Sequence, residues 1–412
     1  MCPVSSAPAA QAGGQDLTVR EATSPKIRAL AEAIDKARPK NRARIISDFL
    51  GRNRYQFPLV EDSLVTFVYC GKVTSKVCVP SDLNRWDTNG DQLAQLDEAD
   101  FYWRTLALPT DARIDYKFYV DNVWILDPLN PKTVRGGFGD NSSFAMPAYQ
   151  EPQEIAEVKS IQHGTIVAHQ FASKVLGNTR RIQVYLPVGY PPMGVAGAES
   201  SPGGPGNQGA NADLGFAGSY RAIFVQDGGE YMTLGSMVNV LDNLIASRAI
   251  PPVVGIFIDP VDRNSEYRLN PAYESMIMDE VLPFIRGKYD VARDPAKTAI
   301  LGASLGGEIS AMIALDHPEV FGRCGSQSGV MGLDDAKLIN AVRTGPRKAI
   351  DFYLDCGRFG DVIDENRQMQ DALNARGYLL KYQEFNEGHS WGNWRAHLDD
   401  VLIFFWGSNG TK

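Results

Sequence analysis

The sequence predicts an α/β unit built on a mostly parallel sheet, preceded by a small all-β unit. Three observations carry that expectation. From residue 160 onward, apolar runs alternate with helical periodicity, the rhythm of a parallel sheet covered on both faces. Between residues 60 and 148, short strand-like runs succeed one another with Asp-, Asn- and Gly-rich turns and no helix between them, as in a small antiparallel sandwich. The length, 412 residues, exceeds one compact domain at ~150 residues each.

The elements follow in order. Residues 1–22 read as a flexible tail, 23–58 as a helical lead-in, 59–150 as the β unit and 151–412 as the α/β unit. Ser24-Pro25 opens a helix with Ile27, Leu30, Ala31 and Ile34 on one face, Pro being favoured at the first helical position. In the β unit, Leu64 to Tyr69, Lys76 to Val79, Tyr102 to Leu108 and Tyr116 to Val120 read as strands, and Pro147 to Pro152 as a linker. In the α/β unit the strands are Arg181 to Leu186, Ala222 to Gln226, Val253 to Asp259, Thr298 to Leu301, Asp351 to Leu354 and Leu379 to Phe385. Helices are expected at Leu234 to Ser247, Pro271 to Arg286 and Glu365 to Arg376, the last closed by Gly377. The stretch 191–215, crowded with Gly, Pro, Ser and Asn, reads as an insertion between strands.

Composition narrows the function classes. With 44% apolar and 22% charged residues the chain is neither disordered nor fibrous. Forty-one basic against forty-nine acidic residues leave −8, with no general pull toward nucleic acid or an anionic membrane. No apolar run is long enough to span a bilayer. None of Cys2, Cys70, Cys78, Cys324 and Cys356 forms a C-x-x-C pair, so no metal site is expected. Cys70 and Cys78 flank a turn at Gly71 and would face each other across a hairpin, as small hydrophobes rather than a disulfide. Met1-Cys2 before a Ser/Ala/Pro-rich tail is what a bacterial lipoprotein would look like with its signal replaced. That favours an extracytoplasmic setting over a cytoplasmic one.

The chemistry concentrates in two G-x-S-x-G matches, Gly302-Ala303-Ser304-Leu305-Gly306 and Gly388-His389-Ser390-Trp391-Gly392. Both allow a sharp strand-to-helix turn that projects the serine hydroxyl. Chain order separates them, because in this architecture an acid and a histidine follow the serine. Beyond Ser390 only His397 remains; beyond Ser304 come several Asp-bearing loops and then His389. Ser304 is therefore the expected nucleophile. A serine hydroxyl needs an imidazole to take its proton, and His389 lies in a Gly-flanked loop after a strand. His163 and His169 precede the elbow, His317 ends a helix, and His397 is expected on the surface of the terminal helix. The orienting acid lies after the strand Asp351 to Leu354, with Asp361 preferred over Asp364, Asp355 and Glu365. The N–H of Leu305 and that of Gly229, or its neighbour Gly228, are the expected oxyanion donors.

Residues 160–408 resemble the esterase family that contains enterochelin esterases, feruloyl esterases and esterase D. The resembling segments are QDGGEY, GIFIDPVDRNSEYRLNP, YDVARDPAKTAILGASLGG, YLDCGRFGDVIDENRQM and EGHSWGNWR. The resemblance implies an α/β-hydrolase fold with Ser304 as nucleophile, His389 as base and the acid near Asp361. That loop is one residue longer than the family's Gly-x-x-Asp pattern. It also implies that Trp391 and Arg263 line the acyl pocket; Tyr231, another aromatic near the site, makes an aryl-containing ester attractive. Residues 60–148 resemble an immunoglobulin-like (E-set) domain, either that of enterochelin esterases or the carbohydrate-binding modules of glycogen-branching-type enzymes. The segments VPSDLNRWD and YKF followed by WILDP carry that second likeness, with Trp86 and Trp124 as sugar-stacking candidates.

The expected activity is carboxylic-ester hydrolysis through an acyl-enzyme, without metal or organic cofactor. The partner is a small-molecule or polysaccharide-linked ester, of the feruloyl type or a catecholate siderophore trilactone, with a glycan contact through the N-terminal unit. No nucleic acid is expected, and the sequence sets no oligomeric state. Two other readings compete: a glycan-binding protein on an inactive hydrolase scaffold, which the complete Ser304, Asp361 and His389 set opposes, and a peptidase on the same fold.

Overall fold

The computed structural model describes residues 20–97, 99–191 and 219–407. The tail through residue 19, with Cys2, and residues 192–215 of the expected insertion lie outside the described residues.

Two helices lie near the start of the described chain, α1 (Pro25–Asp35) and α2 (Pro39–Arg52). The Ser24 hydroxyl accepts the Ile27 N–H at 3.2 Å, satisfying one of the donors a helix start leaves open. Ile27, Leu30 and Ile34 bury the predicted face against Phe49, Val68 and Phe101.

The β unit contains β1 (Arg20–Glu21), β2 (Leu59–Glu61), β3 (Leu64–Cys70), β4 (Val77–Cys78), β5 (Ala94–Gln95), β6 (Phe101–Ala107), β7 (Arg113–Tyr116), β8 (Phe118–Val120), β9 (Val123–Ile125), β10 (Thr133–Gly136) and β11 (Gly139–Ala145). They form antiparallel sheets in the orders β1-β6-β3-β2, β10-β11-β7 and β4-β8-β9, with β5 also on β6. Phe67, Tyr116, Phe118 and Phe144 sit in their common core, with Phe67 and Tyr116 edge to face at 5.0 Å. Two expectations are corrected. The run Tyr116 to Val120 breaks at Lys117 into strands of different sheets. Cys70 and Cys78 do not face each other across a hairpin, because β3 pairs with β6 while β4 pairs with β8. Both thiols are free.

The α/β unit has one eight-stranded sheet of β12 (Thr165–Ser173), β13 (Asn178–Leu186), β14 (Arg221–Gln226), β15 (Val253–Ile258), β16 (Thr298–Ala303), β17 (Arg323–Gln327), β18 (Asp351–Phe359) and β19 (Leu379–Gly388). Its order is β12-β13-β15-β14-β16-β17-β18-β19. β13 runs antiparallel to both neighbours and every later pairing is parallel.

The helices are α3 (Gly228–Thr233), α4 (Met237–Ala246), α5 (Arg263–Tyr267), α6 (Pro271–Ser275), α7 (Leu282–Lys288), α8 (Leu305–Asp316), α9 (Leu333–Thr344), α10 (Ile363–Ala375), α11 (Trp391–Ala396) and α12 (Leu398–Trp406). Met237, Val240 and Leu241 of α4 pack with Val401 and Phe405 of α12 on one face of the sheet; α7, α8, α9 and α10 cover the other. The predicted helix at 271–286 is α6 and α7 joined by a π-type turn at Met276–Val281. Pro283 there has no N–H for the regular ladder.

The two units meet at the loops that follow β18 and β19. A short turn, Asp82–Asn84, lies so close that a Cβ on Gly388 would come within 2.3 Å of Asp82 Cβ, and one on Gly360 within 2.3 Å of the Asp82 carbonyl oxygen. Phe359, at the end of β18, is a member of the β unit's own core. Asn386 Nδ2 donates to Asp111 at 2.7 Å.

Candidate active site

β16 is wholly buried and ends at Ser304, whose backbone takes φ +57 and ψ −123 before α8 begins. That conformation is costly for an L-residue and depends on its glycines. A Cβ on Gly302 would stand 2.2 Å from the Gly306 carbonyl oxygen. The turn is held from outside by the Ser304 N–H, which donates to the Gln327 carbonyl at 2.9 Å. The first α8 bond runs from Glu308 N–H to the Ser304 carbonyl at 3.2 Å. The Leu305 and Gly306 N–H groups precede it, at the positive end of the helix.

Three side chains converge there from three loops. His389 Nε2 is 3.0 Å from Ser304 Oγ, and its Nδ1 is 2.7 Å from Asp361 Oδ1. The Asp361 carboxylate also accepts N–H bonds from Gly357 and Val362 and the Ser328 hydroxyl, each at 2.7 Å. Burial pushes Asp361 upward, but the bonds from His389, Ser328 and Val362 outweigh it and hold the carboxyl below its ordinary value. An ionised Asp361 requires the proton on His389 Nδ1, which leaves Nε2 as an acceptor facing the serine hydroxyl. Asp364 is exposed in the first turn of α10. Asp355 lies inside β18, fully buried, accepting Gln327 Nε2 at 3.0 Å; burial first of all pushes its carboxyl up to about 7.

The other expected residues are packed close by. Gly229 N–H donates to Asp259 Oδ1 at 2.6 Å, so of the two donors expected in that turn Gly229 is already engaged, while its neighbour Gly228 opens α3. Arg263 makes a two-pronged pair with Asp227 at 2.8 and 2.9 Å and reaches the Ala303 carbonyl at 3.2 Å. Its guanidinium braces the loop after β14 and stays half-buried. Tyr231 is fully buried, and its hydroxyl donates to Gln327 Oε1 at 3.1 Å. Trp391 is nearly buried, edge to face with Tyr231 and with Trp394, both at 5.0 Å.

Sequence reasoning missed Trp394, Ser328 and Gln327. Trp394 lies edge-on to His389 at 5.1 Å and donates its indole N–H to Ser328 Oγ at 3.0 Å. It thereby joins His389 to the hydroxyl that bonds Asp361. Gln327 and Ser328 sit where β17 ends; the polar Arg323–Gln327 run has no apolar signature.

Each remaining histidine has a partner elsewhere. His163 meets Asp242 at 3.0 Å, His169 meets the Tyr289 hydroxyl at 2.6 Å, and His317 meets Glu274 at 2.9 Å. His397 is not the surface residue expected. It stacks on Phe385 and meets Glu387 at 2.9 Å. Ser390 stands at the start of α11 with no side-chain cap bond. Trp86 and Trp124 approach to 6.4 Å; Trp124 is exposed, while the Trp86 indole N–H donates to Asp82 at 3.3 Å. Among the described residues, no three His, Cys, Asp or Glu side chains converge as a metal site.

In the helix that follows Ser304, Glu308 is fully buried and neither carboxyl oxygen has a hydrogen-bond partner. Burial, then the nearby Glu365 and Asp334, push it up to about 8 from an ordinary 4.5. The fold therefore binds this proton more tightly than the unfolded chain. The associated stability is present below pH 4.5 and is lost as pH rises through about 8. Glu308→Gln should remove that dependence: at about 1.4 kcal/mol per pKa unit, its stability relative to wild type should rise by up to ~5 kcal/mol between pH 4 and pH 9. Urea unfolding at the two pH values checks it; an equal gap between wild type and variant at both would refute the buried neutral acid.

Residues 216–405 match the family model described as "Putative esterase". An uncharacterized protein of Bacillus subtilis, YbbA, is 31% identical over 187 residues, covering 39% of this chain and 74% of that protein. The endo-1,4-beta-xylanase/feruloyl esterase of Xylanibacter ruminicola is 28% identical over 256 residues, covering 59% of this chain but 31% of its own length. The crystal structure of a ferric enterobactin esterase from Salmonella typhimurium superposes with a TM-score of 0.66 at 21% identity, covering 83% of this chain and 93% of that one. That likeness spans both units and supports the α/β-hydrolase fold read from the sheet order. The chain belongs to this esterase family and is a carboxylic ester hydrolase.

Proposed function

We propose that the chain hydrolyses an aryl-containing carboxylic ester through an acyl-enzyme, with Ser304 as nucleophile, His389 as general base and Asp361 as its orienting acid. The observation that carries the reading is the continuous hydrogen-bonded line from Ser304 Oγ through His389 to Asp361, at 3.0 and 2.7 Å. As Ser304 Oγ attacks the carbonyl carbon, its proton passes to His389 Nε2, and Asp361 stabilises the imidazolium. The oxyanion meets the Leu305 N–H at the α8 terminus. His389 then gives the proton to the departing alcohol oxygen. A water attacks the acyl carbon by the same route in reverse, releasing the acid and restoring Ser304 Oγ–H.

The aryl preference rests on the rings gathered at the site, Trp391, Trp394 and Tyr231, and on the relatives' names, one a feruloyl esterase and one a ferric enterobactin esterase. Hydroxycinnamoyl polysaccharide esters and catecholate trilactones share that chemistry. The N-terminal strands, antiparallel sheets around one aromatic core, support reading residues 59–150 as an immunoglobulin-like (E-set) domain.

The test is hydrolysis of a p-nitrophenyl short-chain ester, methyl ferulate, feruloylated xylan and ferric enterobactin by wild type and Ser304→Ala. Preference for an aryl acyl ester supports the reading, and wild-type inertness on all four overturns it. The acid is tested separately. Asp361→Asn should lower kcat by roughly 10³-fold or more, by stabilising the wrong imidazole tautomer, whereas Asp364→Asn, at an exposed helix start, should stay within about twofold. Equal losses would reject Asp361 as the orienting acid.

A further inference from the structure

The β unit reaches the active site by a second route. β10 and β11 form an antiparallel hairpin, with Gly136 opposite Gly139 and Gly137-Phe138 at its tip. A Cβ on Gly137 would lie 3.7 Å from both Glu230 Oε1 and Trp391 Nε1. Glu230 belongs to α3, immediately after the glycine turn that follows β14; Trp391 lies two residues beyond His389. The hairpin tip therefore lies beside Glu230 and Trp391, on the helices that follow β14 and β19. The next residue, Phe138, is wholly exposed.

The placement of this tip is constrained by more than the hairpin. The same unit is wedged at Asp82 between Gly360 and Gly388, and Arg113, beside β11 in the sheet, is packed onto Gly392. An unburied phenylalanine forgoes the favourable burial of its ring, and one with no core contact does nothing for the β unit's packing.

We propose that the β10–β11 tip forms the outer wall of the substrate cleft, and that Phe138 stacks on the aromatic ring of an aryl ester. The inference rests on the aryl-ester reading above and deepens it by assigning a specificity-determining residue to the N-terminal unit. Offset or edge-to-face ring contact, together with the area covered, is what an exposed Phe offers such a ring.

Binding, not turnover, tests it. In the full chain carrying Ser304→Ala, methyl ferulate and methyl butyrate are titrated by tryptophan fluorescence or, where the signal is weak, by calorimetry. Adding Phe138→Ala should weaken methyl ferulate about tenfold, at least five times the loss for methyl butyrate, and Phe138→Trp should restore it to within about twofold. Equal binding with and without the Phe138 ring, equal losses for both esters, or no binding of methyl ferulate at all would overturn the proposal. Residual hydrolysis by Ser304→Ala would bear on the nucleophile alone, so the two readings fail separately.

Discussion

Ser304→Ala should lower kcat/KM for the preferred ester by roughly 10³ to 10⁶-fold, while binding of that ester stays within a small factor. Ser304 Oγ is the atom 3.0 Å from His389 Nε2, at a turn whose backbone strain is tolerated only because Gly302 and Gly306 flank it. Alanine accepts the same backbone about as well as serine, so the fold survives and only the attacking oxygen is lost. What then remains is the oxyanion site and binding, worth about 10³–10⁴ over water in comparable hydrolases. Burst kinetics with a p-nitrophenyl ester would show the acyl-enzyme in wild type and its absence in the variant. Full activity in Ser304→Ala would eliminate the acyl-enzyme mechanism at this site.

Gly388→Ala carries the second large effect, and it acts through the other unit. The added Cβ would sit 2.3 Å from Asp82 Cβ and 2.5 Å from its Cγ, too close for any real contact. Asp82 has little room to yield. Its carboxylate accepts the Asp115 N–H at 2.8 Å and the Trp86 indole N–H at 3.3 Å, in a fully buried setting. The strand end carrying His389 must move instead. We expect a loss of ~2–3 kcal/mol in stability and, in the folded protein, a fall in kcat of about 10²-fold from the displaced base. Asp82→Gly in the same chain removes the colliding atoms and should return part of kcat, a coupling that a double-mutant cycle reads directly. Unchanged melting temperature and kcat in Gly388→Ala would show that the wedge does not position His389.

The wedge changes how the N-terminal unit is understood. The segment VPSDLNRWD was singled out in the sequence for its tryptophan and its likeness to sugar-binding modules. In the fold its aspartate and its 82–84 turn press on the glycines that precede Asp361 and His389. The Trp86 indole, tied to Asp82, is part of that same turn.

How far the sequence went follows from the range of each signal. Ser304 and its elbow were readable because a strand, small flanking residues and a helix lie within one short segment. The sheet's parallel strands announced themselves as apolar runs, since burial on both faces demands such runs. β17, Arg323–Gln327, was invisible because its Cys, Gly, Ser and Gln residues bury little apolar surface, although four of its five residues are buried. β12 was missed because, as the edge strand pairing only with β13, it is largely exposed along its length.

By itself, then, the sequence determined the strand-to-helix turn at Ser304, pointed to the histidine that follows it in chain order, and divided the chain into a β unit and an α/β unit. Tertiary structure brought Asp361, already preferred in the sequence, to His389 and left Asp364 on an exposed helix start, turned Arg263 toward Asp227, engaged the Gly229 N–H with Asp259, and set Asp82 and the tip of the β10–β11 hairpin against the segments that follow β14, β18 and β19. The physical reason is distance along the chain. Local backbone chemistry is written in neighbouring residues, whereas a hydrogen bond between Ser304 and His389, 85 positions apart, or a contact between Asp82 and Gly388, exists only once strand register and the packing of two units have brought the atoms together.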